Sequence, residues 1–505
     1  MQIPVVDIFA GPGGLGEGFS AFRTDGRSKS APFRIAVSAE MEVNAARTLR
    51  LRAFFRQFPD GRAPESYYEY VSGRRETPWT EATKPQWEAA CREALQLKLG
   101  ESADDRALAL RIGSTVSAES PWVLVGGPPC QAYSLVGRAR NQGIRGYSAE
   151  ADSRHFLYRH YLQIIHKFRP AAFVMENVKG ILSSKVGGEE IFPRILEDLQ
   201  RPGGRGGARY RVVPLVVRSG QSADQSGYSY LLRAEELGVP QARHRVVLFG
   251  LREDIPLRPD AMLKASDRRY DVRDLIGGLP RLRGGVTDPK PLDWSTRSSK
   301  VLAAAARAAG VRHPEVAARL RNLSEVAANK RDPGTGARWM PRTAATSRVP
   351  EHLSRWLLDD RLDGILNHEV RGHMEADLRR YAYAAAFAAE HGHSPRGAEE
   401  FPESLHPEHR NWKSGKFIDR FKVQQWTLPS STITSHLSKD GHYFIHPDPA
   451  QIRSLSVREA ARLQTFPDNY FFEGARGAQF RQVGNAVPPW MARQIASVVH
   501  AHLTA

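Results

Sequence analysis

A strand, a glycine-rich turn and a helix follow one another early in this sequence, and that order limits the possible folds. The apolar run from Val5 to Phe9 predicts a buried strand, which is followed by the turn Gly11-Pro-Gly-Gly-Leu-Gly-Glu-Gly18 and then by a helical pattern. Glycines let a backbone approach a ligand closely, and a helix N-terminus favours polar or negative groups. The glycine order matches neither a dinucleotide-binding turn nor a P-loop. The sequence therefore predicts an α/β sheet with a different nucleotide-binding corner.

The second predicted strand, Phe33 to Ala39, ends in Glu40, and a helix is expected from Val43 to Phe54. An acidic residue at the tip of the second strand of such a sheet typically binds ribose hydroxyls. A helix-capping or surface glutamate is the alternative interpretation. The position of Glu40 at the strand tip favours ribose binding.

A short apolar run from Trp122 to Val125 predicts another buried strand, which two glycines and two prolines end abruptly just before Cys130. This places the cysteine at the carboxyl end of a strand, where open α/β sheets bind and transform ligands. A cysteine held there is a candidate nucleophile. The alternative is a small buried residue in a proline-rich turn.

Two further segments carry polar residues towards the same edge of the sheet. The predicted strand Ala171 to Met175 leads into Glu176, and Gln241-Ala-Arg-His-Arg245 precedes the strand Val246 to Gly250. In an extended chain Gln241, Arg243 and Arg245 point to one face. Such a row of long hydrogen-bonding groups suits an oriented anion or base, and an edge strand with solvated charges is the alternative.

The formal net charge of the chain is +17, which favours a polyanionic partner, nucleic acid first. A solubilising basic surface is the alternative. The segment from Leu135 to Gly146 is rich in glycine and arginine and predicts a mobile cationic loop that could close over a polyanion, or a simple surface loop.

Composition also bounds the compartment. The chain has 505 residues, of which 41% are hydrophobic and 25% charged, as in soluble globular proteins. The sequence contains no run of 18 apolar residues and no signal-peptide pattern at its start. Two cysteines cannot form a disulfide framework. We therefore expect a cytosolic protein.

The α/β rhythm is interrupted twice. From about 55 to 121 only one helix is predicted, Lys84 to Leu99, and we expect an insertion at the sheet edge. From about Asp254 to Ala450 short Ala-rich helices, such as Val301 to Ala309 and Tyr381 to Glu390, predict a second, smaller domain.

His368 and His373 invite a metal interpretation, but their spacing of five does not place them on one helical face and no cysteine lies nearby. We therefore expect no metal.

The motifs occur together in an order that resembles the DNA (cytosine-5) methyltransferases, mostly bacterial enzymes that use S-adenosylmethionine. The matching segments are Asp7-Ile-Phe-Ala-Gly-Pro-Gly-Gly14, Glu40, Gly127-Pro-Pro-Cys-Gln131, Glu176-Asn-Val178, Gln241-x-Arg-x-Arg245, Arg458-Glu-Ala-Ala-Arg-Leu-Gln464 and Gln482-x-Gly-Asn485. They cover about residues 1–54, 122–250 and 420–505.

The resemblance implies an α/β fold: a Rossmann-like methyltransferase domain with a mixed, mostly parallel sheet, and a smaller, irregular target-recognition domain. The implied division is a catalytic domain at 1–265, with the insertion at about 55–121, a recognition domain at 266–450 and a return segment at 451–505. The implied partner is double-stranded DNA, together with a cognate restriction nuclease or defence proteins. A monomer associated with the bacterial nucleoid is expected.

The resemblance also assigns roles to residues. Cys130 would add to C6 of a flipped-out cytosine, Glu176 would contact N3 and the amino group, and Arg243 and Arg245 would orient the ring. S-adenosyl-L-methionine would supply the methyl group for C5 and leave as S-adenosyl-L-homocysteine. The implied cofactor-binding residues are Asp7, Phe9, Ala10, Gly11, Gly13, Gly14, Leu15, Glu40, Met41, Pro128, Leu157, Asn485 and Ala486. The implied DNA-binding residues are Gln131, Ser134, Val136, Gly137, Arg138 and Arg140.

One departure from the family pattern concerns the adenine. The family usually has an acid, often in an Asp-Ile pair, shortly before the catalytic strand, whereas Arg111-Ile-Gly-Ser-Thr115 holds none. Three other functions remain open on the sequence. They are a transfer-RNA cytosine-5 methyltransferase, a catalytically silent DNA-binding module and, against the glycine order, a nicotinamide dehydrogenase.

Overall fold

The structure is a computed structural model that describes residues 2–504 except 25–29, 59–61, 118, 130–156, 187, 217–226, 288–291, 409–411 and 413–419. The chain divides into two compact units. Unit 1 comprises Met1–Pro64, Trp79–Arg269 and Ala486–Ala505, and unit 2 comprises Glu65–Pro78 and Tyr270–Asn485. No helix of the described residues is long and apolar enough to cross a membrane.

Unit 1 is built on an eight-stranded sheet whose main path is β3-β2-β1-β4-β5-β11-β8, with β9 also paired to β11. The first five strands of this path pair in parallel, while β11 runs antiparallel to β5, β8 and β9. The strands of unit 1 are β1 (Ile3–Ile8), β2 (Phe33–Glu40), β3 (Ala94–Gln96), β4 (Val123–Gly126), β5 (Ala172–Val178), β6 (Lys185–Val186), β7 (Glu189–Glu190), β8 (Tyr210–Val213), β9 (Leu231–Arg233), β10 (Gln241–Ala242) and β11 (His244–Arg252). The α/β fold with a mostly parallel mixed sheet is confirmed.

Helices pack on this sheet because its central strands are apolar on both faces. Every residue of β4 is buried, and Val5, Val6 and Ile8 of β1 are fully buried. The helices of unit 1 are α1 (Gly14–Ala21), α2 (Val43–Arg56), α4 (Lys84–Glu93), α5 (Ser102–Gly113), α6 (Leu157–Phe168), α7 (Ile191–Gln200) and α16 (Pro489–Leu503). The observed bounds of the strands and helices differ by a few residues from the predicted bounds, mostly at the C-terminal ends of strands.

Strand order determines where a ligand can bind. β1 lies between β2 and β4, so the connections from β1 leave in opposite directions and open a crevice at the carboxyl ends of these strands. β11 runs antiparallel to β5, so its amino end lies at the same edge of the sheet as the carboxyl end of β5. The glycine-rich turn after β1, the end of β4, Glu176 and the start of β11 therefore share one edge.

Most of the stretch 55–121, for which the sequence predicts an insertion, contributes regular elements to unit 1. The predicted helix from Lys84 to Leu99 ends at Glu93, and the next three residues form the edge strand β3, in which Ala94 pairs with Ser38 and Gln96 with Glu40. Pairing with β2 overrides the local helical preference of this segment. Only Glu65–Pro78 groups with unit 2.

Unit 2 has short strands and many connecting segments. β12 pairs in parallel with β15, and β13 pairs antiparallel with β14. Its strands are β12 (Gly285–Val286), β13 (Gly336–Pro341), β14 (Gly364–Glu369), β15 (Gly372–His373) and β16 (Ser430–Ser431). Its helices are α3 (Glu65–Val71), α8 (Val272–Ile276), α9 (Trp294–Ala309), α10 (Pro314–Ala328), α11 (Glu351–Leu357), α12 (Glu375–His391), α13 (Gly397–Glu400), α14 (Val457–Leu463) and α15 (Arg476–Asn485). Its core joins α9, α10 and α12 through buried residues such as Leu302, Leu320 and Phe387.

Candidate active site at the carboxyl edge of the sheet

The glycine-rich turn after β1 forms a sharply bent backbone that faces open space. Phe9, Gly11 and Gly13 have positive φ angles of 53°, 57° and 95°. A Cβ added at Gly11 would meet no atom of the described residues within 4 Å, whereas one added at Gly14 would lie 2.1 Å from the carbonyl oxygen of Val487. Gly11 therefore allows the backbone to turn and leaves room for a ligand, whereas Gly14 allows α1 to pack closely against Val487.

Glu40 ends β2 and is joined to this turn. Its Oε2 accepts a hydrogen bond of 2.8 Å from the Gly11 amide, and its Oε1 accepts one of 2.8 Å from the Glu42 amide. Burial raises the pKa of Glu40, and the two amide donors oppose that rise. The carboxylate thus fixes the turn while lying at the strand tip, as the sequence predicts.

Asp7 lies beneath the turn and is fully buried. Its Oδ2 accepts a hydrogen bond of 3.2 Å from the Gly16 amide, and its Oδ1 has no hydrogen-bond partner among the described residues. Burial raises the pKa of Asp7 to about 7, against a value of 3.8 for an ordinary aspartate. Asp7 therefore supports α1 from below and does not line the open side of the turn.

The remaining residues predicted to bind the cofactor have different environments. Met41 is 57% exposed, next to Glu40, and is an apolar side chain open to solvent. The Ala10 amide donates to the Ala39 carbonyl across the strand ends at 3.1 Å. Leu15, Pro128 and Ala486 are buried, Leu157 begins α6 and is partly buried, and Asn485 ends α15 and is exposed.

The structure brings Glu176 and Arg245 together. Nε of Arg245 lies 2.6 Å from Oε1 of Glu176, and both side chains are nearly buried. The strand register explains the pair. Val247 pairs with Glu176 and Arg245 pairs with Val178, so the Arg245 side chain reaches Glu176 two residues along β5. A Cβ added at Gly127 would lie 3.0 Å from Oε2 of Glu176, so the turn after β4 abuts this carboxylate.

Arg243 is also at this edge and is 1% exposed. Burial lowers its pKa well below that of a free guanidinium, and the positive charge of Arg245 lowers it further, while Glu176 acts in the opposite direction. A buried cationic side chain next to an ion pair is typical of a site prepared for a polar or anionic group. Gln241, the first residue of the same motif, is fully buried in β10.

Cys130 and the six predicted DNA-binding residues, Gln131, Ser134, Val136, Gly137, Arg138 and Arg140, lie outside the described residues. The described segment that contains β4 ends at Pro129, two residues beyond Gly127. The backbone next to Cys130 thus reaches the edge that carries Glu176.

The segment in which the sequence analysis found no acid, Arg111 to Thr115, begins on α5, whereas the strand next to β2 is β3. The segment that adjoins Glu40 is the one after β3, where the Leu97 amide donates to the Glu40 carbonyl at 3.0 Å. This segment, Leu97-Lys98-Leu99, carries no acid either.

The motif from Arg458 to Gln464 supports unit 2 from inside, a role that the sequence analysis did not assign. Arg458 donates to the carbonyl oxygens of Leu366, Pro467 and Tyr470, and it is fully buried. The side chain of Gln464 donates to the Val483 carbonyl at 2.7 Å. In the sequence, such a buried polar network is indicated only by charged residues in α14 at positions where helical spacing predicts apolar ones.

A second part of this network pairs Glu459 with Arg453. Two guanidinium nitrogens of Arg453 lie 2.7 Å from the two carboxylate oxygens of Glu459, and both residues are almost fully buried. His368, one of the two histidines considered as metal ligands, bonds Ser456 and the Pro280 carbonyl instead.

Comparisons with known proteins identify the family of this chain. The family model for C-5 cytosine-specific DNA methylases matches residues 109–281 and 358–501. The type II methyltransferase M.Bpa9945I of Bacillus paralicheniformis is 33% identical over 529 residues, covering 99% of this chain and 99% of its own. The type II methyltransferase M.AgeI of Thalassovita gelatinovora is 27% identical and covers 98% of both chains.

A solved structure supports the fold. A crystal structure described as a DNA modification methyltransferase encoded within a prophage (E. coli) has a TM-score of 0.53 and 17% identity, and covers all of both chains. The resemblance drawn from the motifs is confirmed by the family model and by the full-length relative. The chain belongs to the family of C-5 cytosine-specific DNA methylases.

Proposed function

We propose that this enzyme methylates C5 of a flipped-out cytosine at a specific site in duplex DNA, with Cys130 as the nucleophile. The observation that carries this proposal is the ion pair of Glu176 and Arg245 next to Gly127, at the end of the strand that leads to the cysteine. A carboxylate and a guanidinium held in one orientation match the polar edge of a cytosine ring.

The chemistry needs three contributions from the protein. C5 of cytosine is a poor nucleophile, and addition of the Cys130 thiolate at C6 gives it enamine character. Glu176 holds N3 and the amino group and shares a proton with N3 as electrons move into the ring. Arg245 keeps that carboxylate in place, and Arg243 adds positive charge that favours binding of the cytosine O2 atom. After methyl transfer a base removes the C5 proton, and the bond between C6 and the Cys130 sulfur breaks, which restores the ring and the thiolate.

The cofactor of the family, S-adenosyl-L-methionine, supplies an electrophilic methyl group. The open side of Gly11, the carboxylate of Glu40 at the strand tip and the exposed Met41 fit its methionine, ribose and adenine parts respectively. Phe9 to Gly14, supported from beneath by Asp7, would hold the donor, and Leu15, Pro128, Leu157, Asn485 and Ala486 would complete the proposed set.

Access to the ring requires that the cytosine leave the DNA stack, at a cost of about a few kcal/mol. We propose that the residues following Cys130, including Arg138 and Arg140, bind the DNA around the flipped base. Unit 2 would read base edges in the major groove, and its arginines would contact phosphates. Salt would therefore weaken binding strongly. A role in protecting host DNA beside a restriction nuclease, or in phage defence, is the biological proposal.

Methyl transfer from labelled S-adenosyl-L-methionine to duplex DNA tests the mechanism. Cys130→Ser is expected to remove transfer to DNA, and Cys91→Ser, which changes a partly exposed cysteine of α4, is the matched control and should retain it. Full transfer by Cys130→Ser would disprove the nucleophile. A parallel assay on tRNA tests the transfer-RNA alternative, and we expect no methyl transfer to tRNA. Bisulfite sequencing of DNA from expressing cells identifies the methylated site.

A further inference from the structure

Three side chains with metal-binding atoms converge in the helical part of unit 2, where the proposed reaction uses no residue. His313 precedes α10, Glu315 lies in its first turn, and His391 is the last residue of α12. One ligand atom from each lies within 4.8 Å of the other two. Residues from two helices thus meet at one point of the surface.

Packing fixes the two imidazole rings. The ring of Phe387 lies 4.2 Å from that of His391 and 5.3 Å from that of His313, measured between centroids. Nε2 of His391 is 3.0 Å from Oε1 of Glu315. α10 and α12 are held together below the cluster by buried side chains, including Val316 and Tyr383. The cluster therefore stands on a rigid base.

His313 supplies a separate observation. Its Nε2 is buried and has no hydrogen-bond partner within the described part of the chain. A buried polar atom without a partner is unfavourable, and a ligand bound to that atom would satisfy it.

We propose that His313, Glu315 and His391 bind a divalent transition metal of the Zn²⁺ class. Two imidazole nitrogens and one carboxylate oxygen form a ligand set that Zn²⁺ accepts, with water completing the tetrahedron. Tetrahedral Zn²⁺ with these ligands holds the ligand atoms roughly 3.3 Å apart, so binding draws the cluster inwards through side-chain rotation. The metal joins the start of α10 to the end of α12 and stabilises unit 2.

Calorimetric titration of the full-length protein with Zn²⁺ tests this site. The protein is purified without a histidine tag and stripped with EDTA. We expect one Zn²⁺ per chain with micromolar or tighter affinity, and a Tm that rises with Zn²⁺ concentration. His313→Gln and Glu315→Gln should each weaken binding at least tenfold. His352→Gln, at an exposed histidine of α11, is the control and should leave the affinity unchanged.

The His313→Gln variant separates a metal site from a simple ion pair, because it leaves His391 and Glu315 in contact. Millimolar binding alone, or equal affinity in the wild type and the His313→Gln variant, would overturn the proposal. If circular dichroism shows that His313→Gln is misfolded, the exposed Glu315→Gln variant decides in the same way, since its side chain does not support the core.

Discussion

Nε of Arg245 lies 2.6 Å from Oε1 of Glu176, across two antiparallel strands of the sheet. The other carboxylate oxygen of Glu176 faces the turn at Gly127. One oxygen is thus engaged by a cation, while the other stays next to the segment that leads to Cys130. The pair fixes the orientation of the Glu176 carboxylate at this edge of the sheet.

Glu176→Gln is expected to lower kcat for methyl transfer at least 100-fold, because an amide cannot share a proton with N3 of cytosine. Single-turnover rates with duplex DNA at saturating cofactor measure this effect. Glu119→Gln, at an exposed glutamate of unit 1, should retain the wild-type rate. An unchanged rate in Glu176→Gln would remove this residue from the proposed chemistry.

Glu40→Gln is expected to weaken binding of S-adenosyl-L-methionine about tenfold or more, a loss of roughly 1.4 kcal/mol. The amide retains one acceptor oxygen, so it cannot serve both the Gly11 and the Glu42 amides, and the turn loses its charged partner. Isothermal titration with the cofactor measures the change. Glu81→Gln, whose side chain is 82% exposed, is the control, and equal affinities in both variants would contradict a special role for Glu40.

Asp7→Asn is expected to gain stability relative to the wild type as the pH rises from 5 to 8. The folded-state pKa of Asp7 is about 7 against an ordinary 3.8, so the protonated carboxyl is favoured in the folded protein. The stability that it contributes is complete below about pH 4 and is lost as the pH rises through about 7, up to about 4 kcal/mol in total.

Urea unfolding of both proteins at several pH values gives this difference, because the other titrating groups cancel. Asp260→Asn, at an exposed aspartate, should follow the wild-type pH profile. A constant difference between Asp7→Asn and the wild type across this range would show that Asp7 is charged in both states.

Arg453→Met is expected to destabilise the protein by about 3–5 kcal/mol, because it leaves the buried Glu459 carboxylate without its cation. Arg379→Met breaks a contact of the same 2.7 Å length between half-exposed side chains, Arg379 and Glu375, and should cost less than about 1 kcal/mol. Free energies of unfolding in urea compare the two. Equal losses would mean that burial of the Arg453 pair has no energetic consequence.

Local patterns predicted the strands and the ligand edge because short apolar runs ended by glycine or an acid define a strand tip. Glu40 and Glu176 were found in this way, and the sheet indeed brings Glu176 to Arg245. β3 was not predicted, because Ala94-Leu95-Gln96 has no strand pattern of its own and becomes extended only by pairing with β2.

The sequence could not show what the last motifs do either. Arg458 and Arg462 are charged residues of a helix, yet both are fully buried and bonded to carbonyl oxygens or, for Arg462, also to Asp468. Their partners are distant in sequence, so no local pattern identifies them. A family resemblance marked these residues, and the structure supplies the physical reason.

The packing of α1 on α16 has a consequence for biosynthesis. Gly14 and Gly18 leave no space for a side chain, because Val487 and Ala492 of the last turn and helix occupy it. Those two partners leave the ribosome among the final residues of the described chain. In a nascent polypeptide Gly14 and Gly18 therefore lack these packing partners. The contact between α1 and α16 forms only when the chain closes a loop over nearly its whole length, after α16 has been synthesised.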